Sequence, residues 1–334
     1  MNHKQGKKFW VLVAAFLVIF LVSFSLGRFY VPVKQVVLIL LNKWILVPQT
    51  WTKQMAVVVL NVRLPRIIVA ALVGMALASA GCVYQGMFNN PMVSPDILGS
   101  SAGAGFGAAL GIFLGLGSVG ITTLAFGFGM MAMGIALICT FKYRYNPTLG
   151  LVLSGIMIGS LFSAGTSFIK LVADPTNQLP AITYWLMGSL ASIRMKDLVL
   201  LGPCVLMGVI PLILLRWRLN VLTLGDEEAK ALGVNVRLLR LMVIACSTLM
   251  TSACVAVSGM IGWVGLVIPH FARKLVGCDY KYLLPAALLM GGSFLMVVDN
   301  LSRLIASSEV PIGILTSFVG APFFLWMILK GGKA

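Results

Sequence analysis

The largest polar interruption in the second half of this 334-residue sequence is Leu222–Arg237, and it gathers three of the chain's nine acids, Asp226, Glu227 and Glu228. Gly225 and Gly233 bracket a run of good helix formers. The acids sit at its N-terminal end, where they suit the helix dipole, and Gly233 is a natural terminator. The pattern predicts a short amphipathic helix over 226–232. Its chemistry is that of a docking surface: a carboxylate edge beside the small Ala229 and the apolar Leu232. Catalytic constellations are missing elsewhere. There is no G-x-x-x-x-G-K-[ST], no H-E-x-x-H and no G-x-S-x-G, and Gly331-Gly332-Lys333-Ala334 is too short for a phosphate loop. The two histidines, His3 and His270, stand far apart, and the six cysteines form no C-x-x-C pair, so they read as apolar packers rather than metal ligands. Asp299 is the one acid expected near the interior of an apolar segment, with Arg303 four residues on as its partner. The chain therefore has no nucleotide site of its own and does not read as an enzyme, and its short polar helix would suit docking of a partner.

The elements that must carry that helix are legible from composition. Hydrophobic residues make up 60% and charged residues 10%, with a mean hydropathy of +1.01. Soluble chains carry about 25% charged residues, so a soluble enzyme, a disordered chain and a disulfide scaffold are all excluded. Apolar segments of spanning size recur at 9–28, 55–80, 97–116, 119–141, 148–170, 197–215, 238–258, 260–277, 283–301 and 310–329, with a shorter piece at 180–190. They are uninterrupted rather than alternating, which excludes a barrel. The expected fold is all-α: one polytopic membrane domain over 1–334 with about ten transmembrane helices. With both termini inside, fifteen of the 25 basic residues fall on the cytoplasmic side. The net charge of +16 is then a topology signal and calls for lipid rather than nucleic acid as its partner. The first segment has the basic start of a signal peptide. Its apolar run is long, however, and no A-x-A-like site follows, so it is expected to remain as the first span.

Six separated blocks give this sequence its resemblance to the FecCD-type permeases, the membrane subunits of ABC importers for iron-siderophores, haem and cobalamin. They are Arg63–Arg66; Gln85–Pro91 running on through Pro95 to Gly99; Trp185–Leu190; Leu224–Ala229 with Leu232–Val234; Gly262–His270; and Glu309–Gly313 with Gly320–Pro322. The resemblance spans about Asn61 to Lys330. It implies a cobalamin-permease-like fold of ten helices in which helices 2–5 and 7–10 are inverted repeats. It also implies a homodimer, two ATP-binding subunits on the cytoplasmic side that hold ATP and Mg, a periplasmic substrate-binding protein, and a place in a bacterial or archaeal inner membrane.

Roles follow residue by residue from the same resemblance. Gly225, Asp226, Glu227, Glu228, Ala229, Leu232 and Gly233 match the helix that couples to the ATPase. Arg63, Arg66 and Arg303 match arginines that dock the binding protein; a guanidinium fork suits carboxylates. Asn89, Asn90 and Pro91, with Asn146 and Thr148, match the cytoplasmic gate. The fifth span is the expected pore wall. Ser154, Gly159, Ser163, Thr166 and Ser167 make it rich in small and hydroxyl side chains, as suits a passenger that must not be trapped. The chain itself is expected to hold no cofactor. A metal chelate is the first substrate class, a small metal oxyanion such as molybdate the alternative, and a stand-alone secondary transporter or channel the reading from another class.

Overall fold

The computed structural model describes residues 3–27, 29–42, 45, 48–142, 147–306 and 308–331. Among these residues the secondary structure is helical, with no strand. In chain order the helices are α1 (His3–Ser25), α2 (Val33–Leu41), α3 (Lys53–Val57), α4 (Leu64–Met87), α5 (Ser100–Phe113), α6 (Ser118–Lys142), α7 (Pro147–Val172), α8 (Gln178–Leu186), α9 (Asp197–Leu214), α10 (Arg216–Leu222), α11 (Asp226–Ala231), α12 (Val236–Ser258), α13 (Val264–Val276), α14 (Tyr280–Leu304) and α15 (Ile312–Gly331). A π-helical stretch, Val58–Arg63, joins α3 to α4, and a 3₁₀ turn, Pro95–Leu98, precedes α5. The widened turn sits just ahead of Pro65, which lacks the N–H that the carbonyl four residues back would take.

Each of the ten expected segments holds a helix, but the helices are unequal. Seven among the described residues are long and apolar enough to cross a membrane. Helix α5 has 14 residues and α13 has 13. At 1.5 Å per residue either rises about 20 Å, short of a 30 Å hydrocarbon core. The shortfall has a topological cause. After α4 the chain turns back into the bundle, and Pro95 comes to rest against Gly265 at the start of α13. Helix α5 then runs to the end where Gln178 donates to the Phe113 carbonyl (3.0 Å), while α13 runs to the opposite end, where Lys8 donates to the Leu275 carbonyl (2.7 Å). Two half-length helices thus start near one another inside the bundle and leave in opposite directions, as inverted repeats require.

Helix α4 is the axis of the packing, with 19 buried residues. A Cβ on Gly74 would collide with the Gly291 carbonyl of α14, and one on Gly81 with the Gly265 carbonyl of α13. Backbone therefore meets backbone along this helix, the small-residue packing that gives helices contact without a hydrophobic driving force. The arrangement also gives the bundle two distinct ends. One, the α11 end, carries the last turn of α4, the start of α14 and the short α11. The far end carries the start of α4 and the last turn of α14.

Candidate functional site

At the α11 end, the expected helix spans Asp226–Ala231, within one residue of its sequence boundary. Gly225 (φ 129°) opens it and Gly233 (φ 77°) closes it; both angles lie where a side chain is strained. Val234 N–H donates to Ala229 O and Gly233 N–H to Lys230 O, both 2.9 Å, the Schellman pattern that ends a helix on a left-handed glycine. Ala229 is buried, while Leu224 and Leu232 are 63% and 56% exposed. The helix therefore sits on its small residue and presents leucines and acids outward. Arg240 of α12 binds Asp226 (2.8 Å), and Lys230 binds Glu227 (2.8 Å), which raises the Lys230 ammonium above its usual value. Next door, Asn220 of α10 donates to Asp279 Oδ1 (2.7 Å) and accepts from Tyr280 N–H (2.8 Å) at the start of α14. Static contacts thus join α11 to α12 through the Arg240 pair, and the neighbouring α10 to the start of α14.

At the far end the three arginines expected to dock a partner lie buried within the chain. Arg63, Arg66 and Arg303 are only 3%, 4% and 7% exposed, and each donates within the chain, although Arg66 Nη2 has no hydrogen-bond partner. Arg63 donates to the carbonyls of Phe24 and Phe29. Arg66 bonds Asp299 (2.8 Å) and Glu309 (2.9 Å), and Arg303 lies 3.2 Å from Asp299 and donates to Asn300. Asn300 in turn donates to Ser23 Oγ (2.8 Å). This is an internal clamp over α1, α4, α14 and the segment before α15, not a row of forks facing outward. Burying a charge is tolerable only when it is paired and hydrogen-bonded, and here three arginines share two carboxylates and a set of carbonyls. Pairing of Asp299 with Arg303 is legible from their spacing. Arg66 lies 233 residues from Asp299, and no local signal joins them.

The expected pore wall divides into two faces. Gly155 and Gly159 of α7 lie against Ile97–Gly99, and Ser154 is buried, so these residues serve packing. Ser160, Ser163 and Ser167 face outward among Ile156, Met157, Leu161 and Phe168, while Thr166 is half-buried. Ser160, Thr166 and Ser167 donate to the carbonyls four residues back (2.8, 2.9 and 3.0 Å), which commits their hydrogens and leaves the oxygens free only to accept. Asn89, Asn90 and Pro91 form an exposed turn after α4, with Asn89 at φ 47° and Asn90 Oδ1 accepting from Met92 N–H (2.9 Å). Asn146 lies outside the described residues, and Thr148 falls in the first turn of α7.

Asp96, in the 3₁₀ turn before α5, accepts from Ser101 and so lies over the N-terminus of that half-helix, where the exposed N–H groups favour an acid. A spacing of five across a Pro-Asp turn into a Ser-Ser pair was the available clue.

A family model described as the FecCD transport family matches residues 15–330. The molybdate import system permease protein MolB of Haemophilus influenzae is 40% identical over 92% of this chain and 91% of its own length. An iron chelatin transport system permease protein of Helicobacter pylori is 41% identical over 83% of each chain, and the hemin transport system permease protein HmuU of Yersinia pestis 39% identical over 81% of this chain and 83% of its own. Among solved structures, an inward-facing metal-chelate type ABC transporter superposes with a TM-score of 0.87 at 37% identity, covering 97% of this chain and 99% of that one.

Proposed function

Because the chain belongs to the FecCD transport family and is an ABC importer permease, we propose that it forms, as a homodimer in the cytoplasmic membrane, the passage through which a separate ATPase drives uptake of a metal-containing cargo. The observation that carries this reading is α11. It is a capped helix with two exposed leucines and an acidic edge, seated on Ala229 and tied to α12 by the Asp226–Arg240 pair. A surface of this kind suits a partner that pushes and pulls on it. The α11 end then faces the cytoplasm, and the far end receives a substrate-binding protein. ATP and Mg belong to the ATPase subunits. The outward hydroxyls of α7, bonded to their own backbone, suit a wall that lets a bulky complex pass without holding it.

A metal chelate is the leading cargo. A metal oxyanion is the second reading, favoured by the 40% identity to the molybdate permease over 92% of this chain. Elemental analysis of the ligand retained by the cognate binding protein separates the two, and a binding protein holding only sugars or amino acids would remove both. For the coupling assignment the informative variants are Leu232→Asp and Gly233→Arg. Leu232 is exposed, and an added Cβ at Gly233 meets nothing within 4 Å, although its positive φ strains the helix cap. Each is expected to abolish ATP-driven uptake in proteoliposomes while the permease still inserts and purifies. Unchanged uptake in both would remove the role given to α11.

A further inference from the structure

At the α11 end a cavity of about 430 Å³ opens between the last turn of α4, the Asn89–Pro91 turn, Thr223 and one face of α13. That face presents His270, Arg273 and Lys274, spaced three and four residues apart and so side by side on the helix. No Asp or Glu lines the space. All nine acids of the chain are described, and the ion pairs they form go elsewhere: Asp299 and Glu309 to the far-end clamp, Asp226 to Arg240, and Glu227 to Lys230. Asp279 is adjacent in sequence but faces Asn220 and caps α14 through Lys281 N–H. Among the described residues, Arg273 and Lys274 therefore belong to no ion pair.

They are also held in place. Arg273 Nη1 donates to Gln85 Oε1 (2.6 Å), and Gln85 is itself fixed by donating to the carbonyls of Gly265 (3.2 Å) and Leu266 (3.3 Å). The Lys274 ammonium stands 5.2 Å from the centre of the Trp326 ring. Basic residues in the last turn of a helix complement its dipole, but that alone requires neither a concave wall nor a braced guanidinium. Two positive charges facing an acid-free cavity, with the Asn89 amide beside them, match a group with several acceptor oxygens and full negative charge.

We propose that this cavity binds a phosphate- or sulfate-like oxyanion, supplied either by the headgroup of an acidic phospholipid or by a free oxyanion. Thr223 lies two residues before Gly225, where the α11 segment begins, so an occupant touches both the Asn89–Pro91 turn and the approach to α11.

The test uses the full chain purified with its cognate ATPase. One arm reconstitutes it in phosphatidylethanolamine nanodiscs with and without phosphatidylglycerol and counts retained phosphatidylglycerol by native mass spectrometry. The other measures radiolabelled sulfate by equilibrium dialysis in uncharged detergent. The comparison is with Lys274→Gln, an exposed position whose change leaves the Arg273–Gln85 contact in place, and with Arg273→Gln as a second variant. Saturable binding is expected in at least one arm, weakened about tenfold by Lys274→Gln, the factor corresponding to about 1.4 kcal/mol. Phosphatidylglycerol alone identifies a lipid source, and sulfate alone a soluble one. Absence of binding in both arms, or binding equal in wild type and both variants, overturns the proposal.

Discussion

The two ends of this bundle are both rich in basic residues and use them in opposite ways. At the far end, three arginines are buried and bonded to Asp299, Glu309, Asn300 and main-chain carbonyls at and after the end of α1. At the α11 end, Arg240 makes a half-exposed pair with Asp226, and Arg273 and Lys274 face a cavity. The first arrangement fixes helices to one another; the second leaves a surface to be completed from outside. A transporter that rocks needs such a contrast: rigid cross-links within each moving body, and contacts that partners can make and break.

The difference can be broken most forcefully at Arg66. Arg66→Ala leaves Asp299 to Arg303 alone and takes the cation from Glu309, so the cost approaches but does not exceed the about 3–5 kcal/mol of a fully broken buried pair. A fall in the melting temperature of the detergent-purified chain of several degrees, or loss of folded material, is expected. Asp299→Ala in the same background should not restore stability, since it leaves the buried Arg303 without its carboxylate. An Arg66→Ala chain that melts like wild type but binds its substrate-binding protein poorly would return this arginine to the docking role first expected of it.

Asp226→Ala sharpens the contrast from the other side. Its pair with Arg240 is partly exposed, and such pairs are worth about 0–1 kcal/mol, so the melting temperature should hardly move. ATPase-coupled uptake is expected to fall, because the tie from α11 to α12 is gone. A large loss of stability with intact uptake would make the pair a clamp like those at the far end.

The smallest effect is expected at the far-end loop after α7. Asp174 accepts from Thr176 Oγ1 (2.7 Å) and from the N–H groups of Thr176 (3.2 Å) and Asn177 (3.0 Å), and these bonds, the Thr176 hydroxyl foremost, hold its carboxyl below the usual range. A lowered native value means that the loop is favoured above the ordinary carboxylate range and loses that support as pH falls through the lowered value. Exchange protection of the Thr176 and Asn177 amides, corrected for intrinsic rates, should drop on acidification there and nowhere near neutrality. Protection that is flat with pH would mean the carboxylate is not what holds the turn.

Much of this architecture is legible in the sequence because it rests on local physics. Ten apolar segments, the Gly225–Gly233 brackets and the acids at the start of α11 each act within a few residues. The half-length of α5 and α13 is not legible in that way, since the apolar runs around them continue through the re-entrant stretches that precede each helix. Burial of the arginines was hidden for a different reason. Arg63 and Arg66 stand at the start of one helix and Asp299 and Arg303 at the end of another, and only the packing of α4 on α14 unites them. Composition also cannot tell which face of α7 meets Ile97–Gly99.

The central claim is that this chain moves its cargo only when a partner drives α11. Its most direct test is uptake of the binding protein's ligand into proteoliposomes that contain the permease without any ATPase subunit, under imposed proton and sodium gradients. No accumulation is expected until the ATPase and ATP are supplied together. Gradient-driven accumulation by the permease alone would contradict the account.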